Sequence, residues 1–239
     1  MLMIEHLTKR YGEKTAVEDL SLHIHPGEIY GFIGHNGAGK TTTLKSVVGI
    51  LAFDEGKIMI DGHSITEDPI TCKKILAYIP DNPDIYEFLT GIQYLLMIAD
   101  VFRVSAADRE SRIAEYAERF EITGALGDLI SSYSHGMKQK LVLISALLHT
   151  PKLLIMDEPF VGLDPKAAFV LKELMREMTE AGGAIFFSTH VLEVAEKLCN
   201  KVAIIRDGRL ITGGRMGEVV KEGTSLEELF METVVDGKR

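Results

Sequence analysis

Cysteine is scarce. Cys72 and Cys199 are the only two in 239 residues, they stand far apart, and neither belongs to a C-x-x-C or His-Cys spacing. Neither a disulfide framework nor a zinc site is supported, which leaves two buried or half-buried thiols in a reducing compartment. Positive charge is in short supply as well. Lys and Arg number 26 against 35 Asp and Glu, for a formal net charge of -9, and no run of like charges forms a basic stripe. Direct binding of DNA, RNA or an anionic lipid surface is therefore disfavoured, and no nucleic-acid partner is expected. Long apolar runs are missing. The most apolar stretches, residues 94–102 and 141–148, fall well short of the roughly 18–20 residues of a membrane span, so no direct membrane insertion is expected. Glu5, His6, Lys9 and Arg10 interrupt any apolar region at the start of the chain. A secretory signal is not expected there, and the chain should stay inside the cell.

What is present suffices for a core. A hydrophobic fraction of 46% and a charged fraction of 26% lie in the globular range, and the length suits one large domain or one domain carrying an insertion. Strand-like runs fall at residues 1–7, 20–24, 28–33, 57–60, 75–79, 153–156, 184–188 and 202–205. Several are continuously apolar, as strands buried on both faces are. Helical patterns at 41–50 and 166–180 separate some of them, which is α/β logic with a largely parallel sheet. Asp207-Gly208 reads as a two-residue hairpin turn between 202–206 and 209–212.

From 83 to 149 strands vanish and helical periodicity takes over. Ser105 is placed to cap a helix with Asp108 at its third position and Ile113, Tyr116, Ala117 and Phe120 on its apolar face. The segment reads as a helical subdomain inserted into the sheet domain. A tail helix opens at Ser225, with Glu228 three residues on and Leu226, Leu229 and Phe230 on one face.

The chemistry is concentrated in three places. The first is Gly34-His35-Asn36-Gly37-Ala38-Gly39-Lys40-Thr41, a G-x-x-x-x-G-K-[ST] match between an apolar strand and a helix pattern, followed by Thr42. Glycines let successive backbone N–H groups face an anion without a Cβ in the way, and the helix N-terminus adds its dipole. Lys40 is expected along the β- and γ-phosphates of a nucleotide, with the Thr41 hydroxyl on Mg2+. The second is Asp157-Glu158-Pro159, which closes the apolar strand 153–156 at the end where α/β sheets carry their sites. Asp157 suits a metal held through water, and Glu158 suits a base for the water that attacks the γ-phosphate. The third is His190, at the carboxyl end of the strand 184–188, where it can report the γ-phosphate. A GTPase would need N-K-x-D, and the nearest segment, Asn200-Lys201-Val202-Ala203, lacks the Asp. A small-molecule kinase has no need of a hydrolytic Glu beside the metal Asp.

In this setting the chain resembles the ATP-binding subunits of ABC transporters, in the same motif order over essentially its whole length. Tyr133-Ser134-His135-Gly136-Met137-Lys138-Gln139 resembles the family's signature loop, Gly162-Leu163-Asp164-Pro165 its D-loop, and His190 its switch histidine. Tyr11 stands where the family stacks a ring on adenine. The resemblance implies a P-loop NTPase fold with a RecA-like core sheet, antiparallel N-terminal strands and the helical insertion. Residues 1–82 and 150–223 would be the catalytic core, 83–149 the helical subdomain and 224–239 a C-terminal tail. It also implies ATP and Mg2+ as cofactors, and catalytic roles for Lys40, Glu158 and His190. Gly34 to Thr42, Tyr11, Ser134 and Gly136 would contact nucleotide. Thr41, Asp157 and Asp81 would serve the metal.

Two such subunits would pair head to tail as a homodimer, each signature loop closing on the nucleotide held by the other. A separate integral-membrane permease would hold the pair at the inner face of the cell membrane, with residues 81–95 as its contact. The sequence departs from the family pattern at His135, Met137 and Asp81, the last at the Q-loop glutamine position, where a carboxylate can orient water but cannot donate as an amide does. These departures, with Asn82-Pro83 and Tyr86-Glu87-Phe88-Leu89-Thr90, resemble the ABC-2-type exporter branch and its Ecs-type bacterial members.

Overall fold

The computed structural model describes residues 1–82, 84–220 and 223–235. Pro83 of the Asn82-Pro83 pair, residues 221–222 of the expected core and residues 236–239 of the expected tail lie outside them. The chain order is β1 (Leu2–Tyr11), β2 (Lys14–Ile24), β3 (Ile29–Ile33), α1 (Lys40–Val47), β4 (Glu55–Ile60), β5 (His63–Ser64), α2 (Pro69–Ile75), β6 (Leu76–Ile79), α3 (Gly91–Val101), α4 (Ala106–Arg119) and α5 (His135–Leu147). It continues with β7 (Leu153–Asp157), α6 (Pro165–Glu180), β8 (Ala184–Thr189), α7 (Leu192–Leu198), β9 (Lys201–Arg206), β10 (Arg209–Arg215), α8 (Met216–Val219) and α9 (Leu226–Phe230).

Two sheets organise these elements. One has six strands in the order β10-β9-β3-β8-β7-β6, and the other four in the order β2-β1-β4-β5. In the larger sheet β6, β7, β8, β3 and β9 run parallel, and only β10 turns back, through the Asp207-Gly208 hairpin. The smaller sheet is antiparallel throughout. This is the α/β architecture expected, with a largely parallel sheet and antiparallel N-terminal strands.

The continuous apolar runs became the central strands for the expected reason. Every residue of β3, β7 and β8 is buried, because layers cover both faces of that sheet. On one face, Phe186 meets Tyr30 at 6.0 Å and Phe32 at 5.4 Å between ring centroids, in a core shared with α1 and the smaller sheet. On the other, Phe187 and Met156 pack with residues of α3, α4, α5 and α6.

The helical caps sit at the expected residues. Ser105 Oγ accepts from Asp108 N–H at 3.1 Å, and Ser225 forms a capping box with Glu228. Several features differ from the sequence expectation. β1 and β2 are longer than 1–7 and 20–24, since they join through a tight turn at Gly12-Glu13. The strand β5 and the helices α2, α7 and α8 were not anticipated. Among the described residues, no helix is long and apolar enough to cross a membrane.

Phe186, fully buried among Tyr30 and Phe32, anchors this layering. Phe186→Ala should lower the unfolding free energy by about 3–5 kcal/mol, measured by urea denaturation followed by circular dichroism.

Candidate functional site

Parallel strands deliver their carboxyl ends to one edge, and the register aligns them closely. Ile33 of β3 pairs with Thr189 of β8, Ser188 of β8 with Asp157 of β7, and Met156 of β7 with Ile79 of β6. Four loops therefore leave the sheet side by side: the glycine-rich loop after β3, Glu158 after β7, His190 after β8 and Asp81 after β6. This is the edge at which open α/β sheets place ligands.

There they border a cleft of about 560 Å³. The loop contributes His35, Asn36, Gly37, Gly39, Lys40, Thr41 and Thr42 to its lining, and Asp81, Asp157 and Glu158 form the acidic side. Tyr11 lies on the rim at the end of β1, half-exposed, with Lys9 Nζ 5.3 Å from its ring centroid. Gly34 and Ala38 are buried and support the loop from within. A Cβ at Gly34 would lie 2.6 Å from Ile205 O, so glycine there permits the close approach of loop and β9.

Lys40 opens α1, and its ammonium is drawn inward. Its Nζ donates to Gly34 O at 2.6 Å and His35 O at 3.4 Å, and lies 3.4 Å from Glu158 Oε1. The cation is only 6% exposed and is held by backbone carbonyls on one side and a carboxylate on the other. Thr41 Oγ1 donates to Asp157 Oδ2 at 2.6 Å, and Ser188 Oγ donates to Asp157 Oδ1 at 2.5 Å. Both oxygens of a carboxylate only 1% exposed are thus engaged.

Glu158 is the least comfortable residue of the group. Its backbone has φ +49°, in the left-handed region that a non-glycine residue seldom occupies. Its N–H donates to Ser188 Oγ at 3.1 Å and Ser188 O at 3.2 Å, which holds that conformation. Its Oε2 faces His190 Nδ1 at 2.9 Å and accepts from His190 N–H at 3.3 Å. Its Oε1 is buried and makes no hydrogen bond, and its charge partner is the Lys40 ammonium 3.4 Å away. Close by, burial pushes the Tyr78 phenol well above its ordinary range, and the Asp157 and Asp81 carboxylates push it the same way.

Ser134 and Gly136 lie elsewhere and do not line this cleft. Ser134 Oγ caps α5, accepting from Met137 N–H at 3.3 Å. The turn packs against the loop before α6: a Cβ on Gly136 would be 3.0 Å from Gly162 O, and the His135 ring occupies the space beside Gly162. Lys140 Nζ, 2.7 Å from Asp164 Oδ2, clamps the two loops and holds the Asp164 carboxyl below its ordinary range.

Sequence reasoning missed part of the site. Ser188 joins Asp157 to the Glu158 backbone, and its place at a strand's carboxyl end was the signal available. Lys14, Thr15 and Ala16 also line the cleft, as do Asp207 and Gly208, and nothing local to those segments marks them.

Fold and cleft together define a P-loop α/β protein built to hold the phosphates of a nucleotide. The family described as ABC transporter matches residues 17–161. EcsA, an ABC-type transporter ATP-binding protein of Bacillus subtilis (strain 168), is 33% identical over 236 residues, which cover 97% of this chain and 96% of EcsA. The uncharacterized ABC transporter ATP-binding protein YhcH of the same organism is 38% identical over 212 residues, 88% of this chain and 68% of YhcH. A solved structure described as the ATP binding subunit of an ABC transporter superposes with a TM-score of 0.94 at 35% identity, covering 98% of this chain and 99% of the other. The chain belongs to the ABC transporter family and is an ATP-binding, energising subunit of it.

Ser188 gives the first test of the site. Ser188→Ala removes the donor to Asp157 Oδ1 and the acceptor of Glu158 N–H. It should cost about 1–3 kcal/mol of stability, read by urea denaturation, and should lower ATP turnover in the folded protein.

Proposed function

We propose that this chain hydrolyses Mg2+-bound ATP at a site shared with a second copy of itself, and passes the resulting opening and closing to a separate integral-membrane permease. The observation that carries the proposal is the meeting of Lys40, Asp157, Glu158 and His190 on one sheet edge, with Glu158 held in a strained backbone conformation.

Each residue then has a defined task. Backbone N–H groups of residues 34–42 surround the phosphates, and Lys40 neutralises charge developing on the β- and γ-phosphates. Glu158 takes the proton from the attacking water, with Oε2 fixed by His190 and Oε1 beside the Lys40 ammonium. His190 in turn reaches the γ-phosphate from the adjacent strand end. Tyr11 offers its exposed ring to adenine.

Thr41, Asp157 and Asp81 would serve Mg2+. Among the described residues no group of three or more His, Cys, Asp or Glu converges on a metal. That fits an ion that takes most of its oxygens from phosphate and water. When bound, the ion offsets charge on the phosphate oxygens.

Several features support the wider assembly. The cleft contains no signature residue of its own chain, while Ser134 and Gly136 stand at the N-terminus of α5, a fitting partner for a phosphate carried by another copy. Residues 1–82 and 150–223 act as the catalytic core, 83–149 as the helical subdomain and 224–239 as the tail. Segment 81–95, which leads from Asp81 into the helices, exposes Tyr86 and Phe88 at 53% and 75% with their rings 5.8 Å apart. Such exposed aromatic surface suits contact with a permease, which would place the chain on the cytoplasmic face of the membrane.

Glu158→Gln should lower kcat by about 10²- to 10⁴-fold while ATP still binds, and the ATP-loaded variant should elute as a dimer. Equal, slow hydrolysis by wild type and variant would instead identify a nucleotide-sensing module without useful turnover.

A further inference from the structure

The phosphate loop is braced by a segment of chain more than 160 residues away in sequence, and the brace is the hairpin turn Asp207-Gly208 between β9 and β10. Gly208 N–H donates to Ala38 O at 3.0 Å, and Gly208 O accepts from Glu18 N–H at 2.8 Å. One glycine thus hydrogen-bonds the phosphate loop on one side and β2 on the other.

The packing leaves no room for a side chain at either contact. Gly208 has φ +80°, and a Cβ there would lie 2.8 Å from Ala16 O. Gly39 has φ +107°, and a Cβ there would lie 2.5 Å from the same carbonyl and 3.5 Å from Gly208 Cα. Glu18 and Arg209 close the arrangement from outside, with Arg209 Nε 2.9 Å and Nη2 2.6 Å from the two oxygens of the Glu18 carboxylate.

We infer that Gly208 is a positioning residue for phosphate binding, and that the Glu18–Arg209 pair keeps it in place. The physical reason lies in the planarity of the peptide bond. In a trans peptide the C=O and the following N–H point in opposite directions. Holding Ala38 O with Gly208 N–H therefore turns Gly39 N–H away from the hairpin, to the side on which an anion cradle needs its donors. A glycine at φ +107° has many other conformations available, so the loop alone does not fix that peptide's orientation. The hairpin removes the alternatives before the nucleotide arrives. This inference rests on the phosphate-loop reading, which Lys40→Ala tests separately.

The experiment compares ATP KM, kcat and circular dichroism for wild type, Gly208→Ala, Arg209→Ala, Arg209→Lys and Lys40→Ala. Folded Gly208→Ala should show KM for ATP raised about ten-fold, with kcat at saturating ATP within about two-fold of wild type. A purely structural role would lower the unfolding midpoint and leave KM of the folded fraction unchanged, and that result overturns the inference. Should Gly208→Ala fail to fold, the exposed pair decides. Arg209→Ala should raise KM about two- to three-fold and Arg209→Lys should recover most of it, whereas an unchanged KM in Arg209→Ala overturns the inference. Retention of wild-type ATP affinity by Lys40→Ala would overturn the phosphate-loop reading and the inference with it. Loss in Lys40→Ala without loss in the hairpin variants would overturn the hairpin's role alone.

Discussion

A carboxylate almost wholly withdrawn from water, Asp157, is the constraint on which the arrangement depends. Removing an ionised group from solvent is costly unless its lone pairs are filled. Here the two donors come from different elements: Thr41 from the first turn of α1 and Ser188 from the end of β8. Satisfying this one side chain therefore aligns the phosphate loop, the acidic strand end and the histidine-bearing strand end. The parallel register places all three at the same level of the sheet. Any shift of β7 against β8 would break the Ser188 contact and leave a buried charge half-satisfied.

The neighbouring Glu158 shows the opposite economy. It carries a left-handed backbone and a buried oxygen that makes no hydrogen bond, two features that a purely structural residue would shed. Both are explained by the need to project a carboxylate beyond the end of β7, where an ordinary extended backbone would send the side chain to one face of the sheet. Ser188 holds the conformation through the Glu158 N–H, and His190 fixes one oxygen. The strained backbone of Glu158 is thus supported by its neighbours Ser188 and His190.

The central strands were legible in the sequence because burial on both faces leaves an unbroken apolar run, and this selects β3, β7 and β8 without reference to neighbours. The smaller sheet was less legible. β1 and β2 alternate between core and solvent, and their pairing is interrupted by register shifts near His6 and Asp19, both at positive φ. α2 has seven residues with only Cys72 buried, too short and too exposed to show a helical period. In the site, local motifs identified the loop, the acidic pair and the histidine. Ala16 and Gly208 remained invisible because their contribution is a carbonyl, an N–H and an empty Cβ position. Such contributions carry no side-chain chemistry to read, and they become meaningful only when chain segments distant in sequence are brought together.

The departures from the family pattern at His135 and Asp81 differ in their surroundings. The His135 ring lies against Gly162, where glycine at φ +80° leaves the space that the ring fills. The ring is accommodated within the chain, and Gly136 packs close against Gly162 O. Asp81 is different, because it lies on the cleft itself. A carboxylate there accepts hydrogen bonds but donates none, so its contribution must pass through water or a cation, whereas an amide can also donate directly. The departure at residue 135 is thus accommodated between two loops of the chain, while the one at residue 81 changes the chemistry available in the cleft.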